Sequence, residues 1–196
     1  TMSTELNSTN KLREFVEELK RLKIEVVRPC INSCFAEFKA EKNKIFYGLS
    51  AIKNVGFEAV SNIIDERKKN GKFKSIRDFI KRVNPKDVNK LQLEGLVKAG
   101  AFDLLEKNRS KLFFSIPKII LTVKSLYEEK ISNQTNLFGE DEDSSNKILE
   151  FENQTMWTKK EILAEEFSSL GFYISDHPLN EYKDLFSQLK IISYKD

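Results

Sequence analysis

Leu12, Phe15, Val16, Leu19 and Leu22 recur at three- and four-residue spacing. That period predicts an amphipathic helix over residues 8–23, with Ser8 or Asn10 as its cap. Arg28-Pro29 ends regular structure and opens an extended segment. Cys34–Lys39 and Lys44–Tyr47 then alternate apolar and polar positions around Lys42-Asn43, the pattern of a short β-hairpin. Leu49, Ile52, Val55, Val60, Ile63 and Ile64 return to a helical period, which Gly71 stops. Ile76, Phe79, Ile80 and Val83 predict a further short helix ending at Asn84-Pro85. Val88, Leu91, Leu93, Leu96 and Val97 mark another. Residues 109–129 read as helix, but Pro117 inside them should kink or break it. Thr158 and Glu161 stand at capping-box spacing before Ile162, Leu163, Phe167 and Leu170, with Gly171 at the far end. Phe172–Ile174 is a short extended piece. Asp176-His177-Pro178 turns the chain into a last short helix near 179–185.

Two of these helical stretches turn around glycine. The first runs Lys53-Asn54-Val55-Gly56-Phe57, and the second Lys98-Ala99-Gly100-Ala101. Glycine lets a backbone turn tightly and approach a ligand closely. N–H groups at a helix start, with the positive end of its dipole, suit a phosphate oxygen. Two such turns in tandem predict a module that grips a nucleic-acid backbone without reading sequence. The expected fold class is therefore mostly α with a short β-hairpin, carrying a tandem helix-hairpin-helix DNA-binding module. The competing reading of each turn is a helix C-cap inside a bundle.

Charge sharpens this picture. The 196-residue chain carries a net charge of only +3. Residues 67–90, between the turns, hold ten Lys or Arg against two Asp. A basic block beside phosphate-cradling turns supports backbone binding. Residues 139–166 are acidic, with nine Asp or Glu against three Lys. Residues 131–155 carry little period and much Asn, Gln, Ser, Asp and Glu, the composition of a linker. Cys30 and Cys34, the two cysteines, read as reduced thiols. A C-x3-C pair with one His in the chain lacks the ligand set of a zinc site. No apolar run approaches a membrane span, and residues 1–11 lack the apolar core of a signal peptide.

Four blocks in order resemble a known family. They are Ile31-Asn32-Ser33, the run from Tyr47 to Gly56, the run from Leu93 to Asp103 ending Lys-Ala-Gly-Ala-Phe-Asp, and the run from Leu170 to Leu179 containing Ser175-Asp176-His177-Pro178. Together they are similar to the C-family replicative polymerases of bacteria, the DNA polymerase III alpha subunits, over roughly residues 10–185. Cys30 and Asp176 depart from that family's usual Asp and Gly. The resemblance implies a piece of a longer polypeptide: residues 1–48 as the end of the fingers, 49–130 as the tandem hairpins, 131–155 as a linker, and 156–196 as a helix and connector toward an OB-fold. It implies double-stranded primer–template DNA, a sliding clamp (the beta subunit) and other replicase subunits as partners, a cytoplasmic setting, and no membrane. Gln134, Leu137 and Phe138 resemble the family's clamp-binding motif, Gln-x-x-Leu-Phe. Leu137 and Phe138 would enter an apolar pocket, and Gln134 would set the register.

Nucleotidyl transfer needs two metals held by carboxylates on a rigid sheet. Asp141-Glu142-Asp143 stands in the polar linker and reads as a solvated acidic spacer. His177, the sole histidine, reads as a turn residue. The expectation is no catalysis and no cofactor in this chain, with Mg2+ belonging to the palm domain of the parent polymerase. Two alternatives stay open: a helix-hairpin-helix module of a DNA repair nuclease or ligase, and a protein–protein scaffold whose hairpins only pack helices.

Overall fold

The computed structural model describes residues 9–133, 151 and 154–189. Helix α1 (Thr9–Arg21) buries Leu12 and Val16, with Leu19 half-buried on the same stripe. Phe15 and Leu22 of the predicted apolar face stay exposed. Strands β1 (Glu25–Val27), β2 (Lys39–Glu41) and β3 (Lys44–Phe46) form one sheet in the order β1-β3-β2. β2 and β3 are the expected antiparallel hairpin, with Lys42 in the left-handed region at its turn. β1 adds to β3 in parallel, Val26 opposite Ile45. Its three residues carry no period long enough to announce a strand, and their partner is remote in sequence.

Helix α2 (Phe57–Asn70) buries Val60, Ile63 and Ile64, and the same stripe continues to Arg67. The Arg67 guanidinium donates to the carbonyls of Ile31 (2.6 Å) and Cys34 (2.8 Å), tying α2 to the segment after β1. Gly71 closes α2 at φ 82°. Helix α3 (Ile76–Arg82) starts on Ser75, whose hydroxyl accepts the Asp78 N–H. Arg82 turns inward to Glu66 (2.9 Å) and Asp78 (3.0 Å). Arg67 and Arg82 are therefore structural, and they subtract from the charge that residues 67–90 offer to a ligand.

Helix α4 (Lys90–Lys98) is capped by Asn89 and buries Leu93, Leu96 and Val97. Helices α5 (Arg109–Phe114) and α6 (Ile116–Asn133) are one predicted helix broken at Ser115. Pro117 has no N–H to continue α5, and it fits the first turn of α6, where no donor is needed. Phe79 stands edge-on to both Phe73 (5.2 Å) and Phe102 (5.1 Å), so the regions around the two hairpins share one core.

Helix α7 (Lys159–Leu170) begins with the predicted capping box of Thr158 and Glu161 and ends at left-handed Gly171. It packs on α4. Glu166 is fully buried in it and accepts the N–H groups of Ile174 (2.7 Å) and Ser175 (2.9 Å), which folds the following loop back onto the helix. His177 is the turn residue expected, with Nδ1 accepting the Leu179 N–H. A 3-10 turn (Pro178–Tyr182) leads into α8 (Lys183–Gln188). Among the described residues no helix is long and apolar enough to cross a membrane, and no cluster of three or more His, Cys, Asp or Glu could hold a metal. Cys34 is a buried free thiol whose burial pushes its pKa up to about 11.

Candidate nucleic-acid interface

The first turn stands open. A single 3-10 turn (Leu49–Ala51) precedes it, in place of a full helix. Ile52 and Val55 are buried and anchor it, while Lys53, Asn54, Gly56 and Phe57 face outward. The left-handed residue is Asn54, at φ 65°. Gly56, expected to make the tight bend, instead sits extended at φ −73° as the N-cap of α2. A side-chain amide tolerates the left-handed region, so Asn54 can take the bend. The glycine contributes something else: no side chain caps α2. The first N–H groups of an α-helix have no partner within it. No N-cap side chain takes those of Phe57, Glu58 and Ala59, and the positive end of the helix dipole lies beside them. The carboxylate of Glu58, in that first turn, works against an anion here.

Two neighbours hold this turn from outside its own sequence. The Lys53 N–H donates to the carbonyl of Ser169, near the end of α7 (2.9 Å). Gly95 of α4 lies against the Lys53 carbonyl so closely that a Cβ there would stand 2.6 Å from it. A cleft of about 820 Å³ runs between the turn and the residues from Phe167 to Gly171. A second cleft, of about 470 Å³, borders the start of α2 and includes Lys86 and Asn89. Sequence reasoning missed Gly95 and Ser169. A glycine inside a helical pattern was the available signal for Gly95; a carbonyl supplied by Ser169 leaves none.

The second turn has the opposite character. Lys98, Ala99, Gly100 and Ala101 form the C-cap of α4, the competing reading of the motif. The N–H groups of Ala99, Gly100 and Ala101 are already given to Gly95, Val97 and Leu96. Ala99 and Ala101 are buried. Lys98 pairs with Glu165 of α7 (2.9 Å) and lies over the Phe113 ring. Gly100 takes φ 78°, and Arg109 packs where its Cβ would be. The next helix, α5, is already capped by Asn108. At these four residues the N–H donors and the Lys98 charge already have partners inside the protein, which weighs against the phosphate contact expected there. Gln134, Leu137 and Phe138, and the Asp141–Asp143 run, lie outside the described residues.

These features define a mostly α protein built around a helix-hairpin-helix module, and residues 23–112 match the family model of the helix-hairpin-helix motif. Over nearly its whole length the chain fits a fragment of the alpha subunit of bacterial DNA polymerase III. It is 40% identical over 98% of its length to DNA polymerase III subunit alpha of Borreliella burgdorferi, covering 17% of that protein. The corresponding protein of Caulobacter vibrioides is 36% identical over 92% of the chain, with 16% of it covered. That of Rickettsia bellii is 34% identical over the full chain, with 19% covered. The chain thus spans about a sixth of the length of these relatives.

Proposed function

We propose that this chain is the part of a DNA-directed DNA polymerase that holds primer–template duplex and tethers the enzyme to its sliding clamp, in a bacterial cytoplasm. The observation that carries the duplex reading is the uncapped start of α2 on an exposed turn, with Lys53 beside it. Donors of this kind meet phosphate whatever the base, so binding is sequence-independent and falls steeply with salt. The relatives' name supports the polymerase assignment, and catalysis with its Mg2+ belongs to the other parts of such a protein. Other replicase subunits would be met through those parts.

Gly56→Val tests the duplex site cleanly. A Cβ at Gly56 meets only the Gln92 amide oxygen, at 4.0 Å, and its φ is ordinary. The variant should fold as the parent does and put its side chain where a phosphate would sit. Lys53→Glu should weaken duplex binding by roughly tenfold and lower the salt slope by about one. Fluorescence anisotropy across a salt series reads both, and wild-type affinity in both variants would refute the site.

The tether is tested separately. Leu137→Ala with Phe138→Ala should abolish binding to a bacterial sliding clamp in calorimetry and leave duplex affinity unchanged. Removal of both apolar anchors of a short peptide takes most of its binding energy. Clamp binding that survives the paired change would sink the motif assignment.

A further inference from the structure

We propose that the groove between α1 and the loop after α7 binds an unpaired nucleic-acid strand, as a second site beside the duplex-gripping turn. Three rings stand in a row along it. Phe167 and Tyr173 are 5.0 Å apart with planes tilted by 38°, and Tyr173 meets His177 at 5.4 Å, edge to face. The row is not core. Phe167 is 46% exposed and His177 is exposed, while Tyr173 is half-buried. Phe172, between them in sequence, is buried beside Tyr47 and contributes to the floor of the groove. The rings are held in place from below, because Glu166 fastens the backbone at Ile174 and Ser175.

The opposite wall of this groove, of about 250 Å³, comes from α1 and presents Arg13, Glu17 and Lys20. Glu17 faces Arg13 at 3.8 Å, which leaves the wall with a net positive charge. The carboxylate of Asp176, next to the last ring, is paired with Lys159 at 2.6 Å. Aromatic faces beside cations, without a set of base-reading groups, form the combination that takes single strands: bases stack on the rings and phosphates lie along the basic wall. A duplex keeps its bases stacked inside and cannot use the rings, so the groove selects the unpaired strand. Phe167 also lines the cleft against the first turn. A strand leaving a duplex held at Lys53 and Gly56 would therefore meet Phe167 first. The position of this second site rests on the duplex reading above; its chemistry does not.

The test uses the full 196-residue chain, a labelled oligothymidylate and a blunt duplex. Phe167→Ala with Tyr173→Ala should lower oligothymidylate affinity by about thirtyfold or more, since two stacking platforms are lost. Duplex affinity should not change. Phe167→Leu with Tyr173→Leu keeps the apolar packing and should lose affinity equally, which separates stacking from support of the fold. Phe167→Trp should retain binding, and its emission should be quenched by the oligonucleotide through base–indole contact. Lys53→Glu should weaken duplex binding by roughly tenfold and keep oligothymidylate affinity, so the two sites fail independently. Unchanged oligothymidylate affinity in the double leucine variant overturns the proposal. So does a bound oligonucleotide that leaves the Phe167→Trp emission untouched. A wild-type chain that ignores the oligonucleotide also overturns it.

Discussion

Gly95→Ala is expected to destabilise the protein by about 2 kcal/mol, even though alanine is the better helix former by about 1 kcal/mol. Gly95 lies within α4, where the added methyl would ordinarily help. Here it would stand 2.6 Å from the Lys53 carbonyl and 3.2 Å from a Val55 methyl. The first contact is with backbone, which cannot rotate away. Either α4 withdraws from its packing or the first turn is pushed outward. Displacement of the turn would also draw the Lys53 N–H off Ser169. The expected result is a fall in Tm of roughly 4–8 °C for a chain of this size, together with weakened duplex binding although Gly95 is buried. Thermal denaturation and a duplex titration on the same preparation check both. Gly56→Ala, whose methyl meets only the Gln92 amide oxygen at 4.0 Å, is the control for Tm alone. An alanine at Gly95 that leaves Tm and duplex affinity alone would show that the turn is not braced by α4.

Arg109→Ala should cost about 2–3 kcal/mol, the cost of removing a buried charge-assisted donor from its partners. Arg109 is buried and forks onto both oxygens of Asp103, at 2.8 and 2.6 Å. It also donates to the Lys98 carbonyl at 3.0 Å, closing the end of α4. Arg109→Lys should recover little, since an ammonium cannot reproduce the planar fork. The coupling to Gly100 gives a sharper measurement. Gly100→Ala alone collides with the Arg109 guanidinium and the Asp103 carboxylate and forces a left-handed alanine. In the Arg109→Ala background the guanidinium is gone, and what remains is the Asp103 carboxylate at 2.8 Å, released from its fork and able to turn aside, with a backbone strain of about 1–2 kcal/mol. Urea denaturation of the four proteins should therefore show strong non-additivity. Additive losses would mean that the guanidinium does not press on the second turn.

The contrast between the two glycine turns shows where pattern reading stopped. Both have lysine before glycine and apolar residues on either side. One is an exposed helix start without a cap, and the other is a helix end whose N–H groups are already bonded. The difference lies in which side of the glycine the helix occupies and in what covers it. Lys98 loses its freedom to Glu165, which is 67 positions away and brought close only when α7 packs on α4. Arg67 and Arg82 were likewise counted as surface charge, because the stripe of α2 and the reach of a guanidinium to remote carbonyls have no signature in composition.

Local rules carried the elements well where the cause is local. The break at Pro117, the stop at Gly71, the capping box at Thr158 and the turn at Lys42-Asn43 each follow from the covalent character of a few neighbouring residues. The parallel strand Glu25–Val27 was illegible because its stabilising partner lies beyond two connections. The aromatic row was hidden for a similar reason. Phe167, Tyr173 and His177 share no helical or strand period, and only the Glu166 clasp on the following loop aligns them.

The sequence by itself determined the helical elements, their caps and breaks, the hairpin, and the match to the polymerase relatives, since short-range sterics and hydrogen bonding are written in adjacent residues. Only the tertiary structure decided which glycine turn keeps free donors, which cations stay available, and that Gly95 and Ser169 brace the first turn. Those outcomes depend on carbonyls and carboxylates delivered from distant positions, and burial, more than residue type, sets whether such a group meets solvent, a ligand or another part of the chain.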